Sequence, residues 1–140
     1  MRTAKHEKAY RKYNRGSDQA DCAFCSVDIG HTQFVDSTQH FKIIRNTFPY
    51  ALWDSQGLTD HLMVVPRRHT DRLDNMTDAE KIEYVDILSQ YEKRGYSFFA
   101  RAPQSITKSI LHQHTHLIKS DGRIKRFVLL LKKPLIRIVR

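Results

Sequence analysis

Three histidines alternate with two polar residues in His112-Gln113-His114-Thr115-His116, inside a stretch, 109–118, whose residue types suit an extended strand. The strand period of two puts all three imidazoles on one face. The other face then receives Gln113 and Thr115, polar groups directed where a core would lie and needing partners there. A surface histidine cluster or a metal-binding tract is the plain reading of this alternation. The sharper one is catalytic, with Ser109 three residues earlier offering a hydroxyl to a phosphoryl or leaving-group oxygen.

The rest of the chain must supply that strand with neighbours. Short alternating segments at 32–35, 40–44 and 60–65, separated by Pro49, Gly57 and polar clusters, read as an antiparallel meander. The period then changes. Thr77-Asp78-Ala79-Glu80 is a capping-box pattern, and Ile82, Val85, Leu88 and Tyr84, Ile87, Tyr91 follow at helical spacing until Lys93-Arg94-Gly95. One main helix is expected over about 78–94. Strand-like segments return at 96–100, 109–118 and 127–131, and the tail admits a further hairpin around Pro134. The order of strands, one helix, then strands argues for an α+β fold: an antiparallel sheet of about five strands with one main helix and a short N-terminal helix.

With 140 residues the chain suits one domain, divided as a basic arm at 1–17 and a domain at 18–140 with a basic C-terminal extension. Residues 1–15 and 119–140 together hold 14 of the 24 basic residues but 2 of the 15 acidic ones. Basic ends around a near-neutral middle attract polyanions, so nucleic acid is a candidate partner, although the same charge also serves solubility. No stretch approaches the roughly 18 apolar residues of a membrane helix, and no apolar run follows the N-terminal charges. No membrane partner is expected, and the cytoplasm is the default location. Cys22 and Cys25, spaced C-x-x-C, suggest metal or redox chemistry in a reducing compartment.

Here the sequence resembles the histidine triad family, whose signature is His-x-His-x-His followed by apolar residues, as in His112 to Ile118. Asp60-His61-Leu62-Met63-Val64-Val65-Pro66-Arg67-Arg68-His69 is similar to the family's strand ending in an apolar pair, Pro, two residues and His. Cys22-Ala23-Phe24-Cys25 is similar to the Cys-x-Phe-Cys opening of many bacterial members. The resemblance spans roughly residues 20–120, with the three motifs in order.

It implies a nucleotide hydrolase or transferase of the phosphoramidase or dinucleoside polyphosphate hydrolase type, cleaving a nucleoside 5′-monophosphate, AMP or GMP, from its leaving group. His114 would be the nucleophile, forming a nucleotidyl-histidine that water or another acceptor resolves. His116 would hydrogen-bond the phosphate and help move a proton to the leaving group, and His61 would lie beside the same phosphate. An ordinary strand histidine is the plain alternative for His61. By the same resemblance Cys22, Cys25, His69 and His112 would hold a structural Zn²⁺, against which stands a free dithiol or a redox pair. Asp54 stands where related enzymes keep an acid for the ribose hydroxyls, or it opens a turn. Lys108 takes the place of a glutamine and faces either the phosphate or solvent. A homodimer is implied as well. Two other functions compete: removal of AMP from nucleic-acid 5′ ends, and a nucleotide- or RNA-binding protein with little turnover.

Overall fold

The computed structural model describes Lys8 and residues 22–125, 128–132 and 135–139. The basic arm with its short helix therefore lies outside the described residues, apart from Lys8. The elements run β1 (Phe34–Ser37), β2 (Phe41–Arg45), β3 (Leu52–Trp53), β4 (Gln56–Pro66), α1 (Asp78–Lys93), β5 (Ser97–Ala100), β6 (Thr115–Ile124), β7 (Val128–Lys132) and β8 (Leu135–Val139). The first six strands form one antiparallel sheet in the order β1-β2-β4-β6-β5, with the two-residue β3 paired to the start of β4. The fold is α+β with six strands rather than five in the main sheet, because β3 is too short to show an alternation of its own. In the tail β7 and β8 pair as a separate two-stranded sheet, while Pro134, about which a hairpin was expected, lies outside the described residues.

Alternation assigns the two faces of the sheet. Phe41, Ile43, Leu62, Val64 and Leu117 point to one side and pack with Met76, Ile87, Leu88, Tyr91 and Tyr96, so this face is closed by α1. Ile44, Met63 and Val65 point to the other side, where Phe24 and Val27 of the N-terminal loop cover them. The helix meets the sheet along Tyr84, Ile87, Leu88 and Tyr91; Ile82 and Val85, periodic though they are, stay exposed.

The helix start is fixed as its capping box requires. The Glu80 amide donates to Thr77 Oγ1 at 3.2 Å and the Thr77 amide donates to Glu80 Oε2 at 2.7 Å. Arg68, just past β4, donates to both Glu80 carboxylate oxygens at 3.1 and 2.8 Å and so ties the sheet to the helix. At the other end Gly95, with φ of 82°, takes the left-handed conformation that ends the helix.

The triad strand starts later than its residue types suggest. It was expected over 109–118, but β6 begins at Thr115, so His112 and His114 lie in an irregular lead-in that bends at His112, and only His116 lies on the strand. The ladder stops there for two reasons. On one side β5 ends at Ala100, opposite Thr115. On the other the register Val64↔Thr115 would next bring in Pro66, which has no amide proton to give. The Gln113 amide turns to the Thr70 carbonyl instead, at 2.6 Å.

Candidate functional site

Register gathers the histidines on the face away from the helix. His61 pairs with Ile118, Met63 with His116 and Phe99 with His116, so His61, His116 and Phe99 share a face. His61 and His116 rings lie 5.1 Å apart, and so do those of His114 and His116. His112 turns away from this pair towards His69, 4.6 Å between rings. The three imidazoles thus divide between two sites, because the departure from the ladder before Thr115 frees His112 from strand alternation.

The hydrogen bonds assign the tautomers. The Tyr50 amide, which can only donate, gives its proton to His61 Nδ1 at 3.2 Å. Neutral His61 must then carry its proton on Nε2, which lies 2.9 Å from His116 Nδ1 and donates to it. The Asn46 side-chain nitrogen also lies 3.1 Å from His61 Nε2, but a protonated nitrogen cannot accept its hydrogen, so the bond to His116 is the one this tautomer makes. His116, accepting on Nδ1, carries its proton on Nε2. His114 is fixed separately: Nδ1 donates to the His112 carbonyl at 2.8 Å, which leaves a lone pair on Nε2.

Burial keeps that lone pair available. His114 is 7 % exposed. Its loss of hydration pushes the pKa down to about 4, helped by the nearby charges of Lys108 and Arg101, and the ring is neutral at physiological pH. A neutral, oriented imidazole with an unprotonated nitrogen is the form that attacks an electrophile.

Aromatic rings wall the same face. Phe99 stacks with His116 and with Trp53, 4.5 Å between centroids in each case, and Tyr50 lies 4.8 Å from His61. Arg101 stands over Phe99 at 5.4 Å. Tyr50, Trp53, Phe99 and Arg101 did not emerge from sequence reasoning. They converge because β3 folds back on β4 and β5 pairs with β6, and neither register can be read from residue types.

A second cluster adjoins the first through Phe24, whose ring lies 5.0 Å from that of His114 and 6.2 Å from that of His112. The donor atoms of Cys22, Cys25, His69 and His112 all lie within 4.8 Å of one another. Cys22 Sγ is 3.4 Å from His112 Nδ1, and Cys25 Sγ is 3.3 Å from His69 Nδ1 and 3.5 Å from His112 Nδ1. A tetrahedral zinc ion with arms of about 2.3 Å to sulfur and about 2.0–2.1 Å to nitrogen sets sulfur–nitrogen edges of about 3.5 Å, so the residues fit that ion. His112 Nε2 donates to the Pro66 carbonyl at 3.0 Å, which turns the lone pair of Nδ1 into the cluster as an outer partner of a metal ligand does.

The remaining sequence candidates lie as follows. Ser109 is exposed on the lead-in to His112. Asp54 is exposed and, with Ser55, forms the two-residue turn between β3 and β4, both with positive φ (46° and 61°), so the turn reading of Asp54 is the one the backbone displays. Lys108 does not face solvent. Its buried ammonium donates to the Asp71 and Arg101 carbonyls at 3.2 and 3.4 Å and to Gln113 Oε1 at 2.9 Å. That bond gives Gln113 its partner, and Thr115 meets the Tyr84 hydroxyl at 2.7 Å.

No family model and no curated protein matches the sequence. Solved structures do match. A HIT family hydrolase from Legionella pneumophila Philadelphia 1 is 21% identical, with 74% of this chain and 94% of that one covered and a TM-score of 0.54. A HIT family hydrolase from Clostridium thermocellum is 17% identical over 76% and 96%, with a TM-score of 0.56. A zinc-bound histidine triad family protein from Mycobacterium smegmatis is 17% identical over 75% and 79%, with a TM-score of 0.51. The chain has the fold of histidine triad proteins.

Proposed function

We propose that this chain is a divergent histidine triad nucleotide hydrolase or transferase, cleaving a nucleoside 5′-monophosphate, AMP or GMP, from its leaving group through His114. The observation that carries the reading is the proton arrangement: an unprotonated Nε2 on His114, set by its Nδ1 bond to the His112 carbonyl, beside an N–H on His116, set by hydrogen bonds that start from the fixed amide of Tyr50. In the proposed reaction His114 Nε2 attacks phosphorus, and the bond to the leaving group breaks with its electron pair. The His116 N–H hydrogen-bonds the phosphoryl group as this happens. Water then attacks the nucleotidyl-histidine, breaking the P–N bond and releasing the nucleoside monophosphate and a proton.

In this reading zinc is held by Cys22, Cys25, His69 and His112 and supplies no chemistry. A closed site of four protein ligands fastens the N-terminal loop against the segment that carries His114. Asp54 and Ser109 keep the roles of ribose and leaving-group contacts only as proposals. The phosphoramidase and dinucleoside polyphosphate hydrolase types share this mechanism and differ in the leaving group. Nucleic acid as substrate or partner would draw on the basic ends, most of which lie outside the described residues. No helix among the described residues is long and apolar enough to cross a membrane.

Incubation with an adenosine 5′-phosphoramidate followed by an alkaline quench, in which a phosphohistidine survives, tests the reading. Mass spectrometry should find added AMP on the peptide holding His114, and His114→Ala should abolish both adduct and turnover. Absence of adduct and turnover with AMP and GMP donors alike would sink the hydrolase and leave the nucleotide-binding protein.

A further inference from the structure

We propose that Arg101 is the residue that holds the substrate's phosphate at this site. The proposal rests on the nucleotide reading for its ligand and on the following geometry for its residue. Arg101 directly follows β5, and its guanidinium stands over the Phe99 ring that stacks on His116 at 4.5 Å, while His116 in turn lies 5.1 Å from His114. The guanidinium is held there by three neutral groups. One terminal nitrogen donates to Thr107 Oγ1 at 2.7 Å, the other donates to the Tyr50 hydroxyl at 3.1 Å, and its carbon lies 5.4 Å from the centre of the Phe99 ring.

Among the described residues Arg101 makes no ion pair, while Arg45, Arg67, Arg68 and Arg72 each have a carboxylate. A guanidinium has five N–H donors, and these two bonds use two of them. Arg101 is therefore an oriented cation with donors to spare, close to the triad and, among the described residues, without a paired carboxylate. It is half-buried and lines an open depression with Arg72, Asp74, Pro103 and Gln113, in which Asp74 is paired with Arg72 and none of the three triad histidines takes part, so a solute can reach it from that side. The other cation beside His114, Lys108, is spent on three carbonyl oxygens. A phosphate supplies the planar pair of anionic oxygens that a guanidinium fork fits, and neutralising its charge is what attack by a neutral nitrogen requires. Tyr50 and Thr107 are positioning residues for that fork; Tyr50 fixes both Arg101, through its hydroxyl, and His61, through its amide.

The chain has a single tryptophan, Trp53, stacked on Phe99, so its fluorescence reads ligand binding at this face. Titration with AMP and with adenosine separates the phosphate contact from the rest of the ligand. The wild-type protein should bind AMP about 10- to 100-fold more tightly than adenosine, the range of a charge-assisted contact. Arg101→Gln should lower that ratio by most of its value with adenosine affinity kept, and Arg101→Lys should fall between. An unchanged ratio in Arg101→Gln, an equal loss of both affinities, or no binding of either ligand would overturn the proposal. The two readings fail separately: an Arg101-dependent ratio without any His114 adduct removes the hydrolase and keeps the phosphate contact, whereas a normal adduct with an Arg101-independent ratio does the reverse.

Discussion

Thr115 shows how a single polar residue is accommodated between two imidazoles. Its side chain points to the helix-covered face, where the Tyr84 hydroxyl lies 2.7 Å from Oγ1 and burial pushes the Tyr84 pKa up. Removing the hydroxyl leaves a largely desolvated phenol without this partner, which costs about 1–2 kcal/mol. Thr115→Val, nearly the same shape, should therefore lower the midpoint of urea unfolding with the slope unchanged. An unchanged midpoint would mean that the bond contributes nothing net. Gln113 is satisfied in the same way by Lys108. That both polar residues need partners was legible in the alternation; that those partners are Tyr84 and Lys108 was not, since 31 residues separate the first pair.

At the scale of the element, the start of α1 was readable almost to the residue, because a capping box is a local pattern with its own hydrogen bonds. Its consequence for stability depends on a residue far from the pattern. Arg68, with support from Thr77, holds the Glu80 carboxyl down to about 2, below its ordinary value near 4.5. Between those values the unfolded chain takes up a proton that the folded chain refuses, so this contribution is complete above about pH 4.5 and is lost as pH falls towards 2. Glu80→Gln should cost about 1–2 kcal/mol at neutral pH. Its deficit against wild type in urea unfolding should shrink as the pH is lowered to about 3. Taking the difference between the two proteins removes the acid lability of the Cys–His cluster, which both share. A deficit that stays constant across this range would show that charge on Glu80 is not what matters. The strand boundaries were less readable, since β6 is ended by what its neighbours lack rather than by anything in 109–114.

Over the whole molecule two surfaces carry the proposals that remain. The Cys22–Cys25 loop reaches the rest of the domain through the Cys–His cluster and through Phe24, so, with zinc held there as proposed, its removal should loosen the cover over Ile44, Met63 and Val65. On the opposite side β5 ends the sheet, its outer edge unpaired among the described residues, with Phe98 exposed on it and Ile82 and Val85 exposed on α1. We propose this edge as the place where a second copy adds. Native mass spectrometry reads both together: the expected species is a dimer of two 16.5 kDa chains with one zinc per chain. Cys25→Ser should lose the ion and lower the melting temperature. A metal-free monomer would reject both proposals.

The sequence by itself determined what needs only local spacing. The α+β order, the capped helix, the C-x-x-C loop and the five histidines grouped as His61, His69 and His112 to His116 are written in neighbouring residues, and so is the demand that Gln113 and Thr115 find partners. Only the tertiary structure decided how those pieces divide. It sent His112 to the thiols and left His114 beside His116, turned Lys108 inward, made Asp54 a hairpin turn, and stood Arg101 over Phe99. The physical reason is register. Strand pairing brings together side chains dozens of residues apart, and where a ladder ends depends on the partner strand as much as on the strand itself.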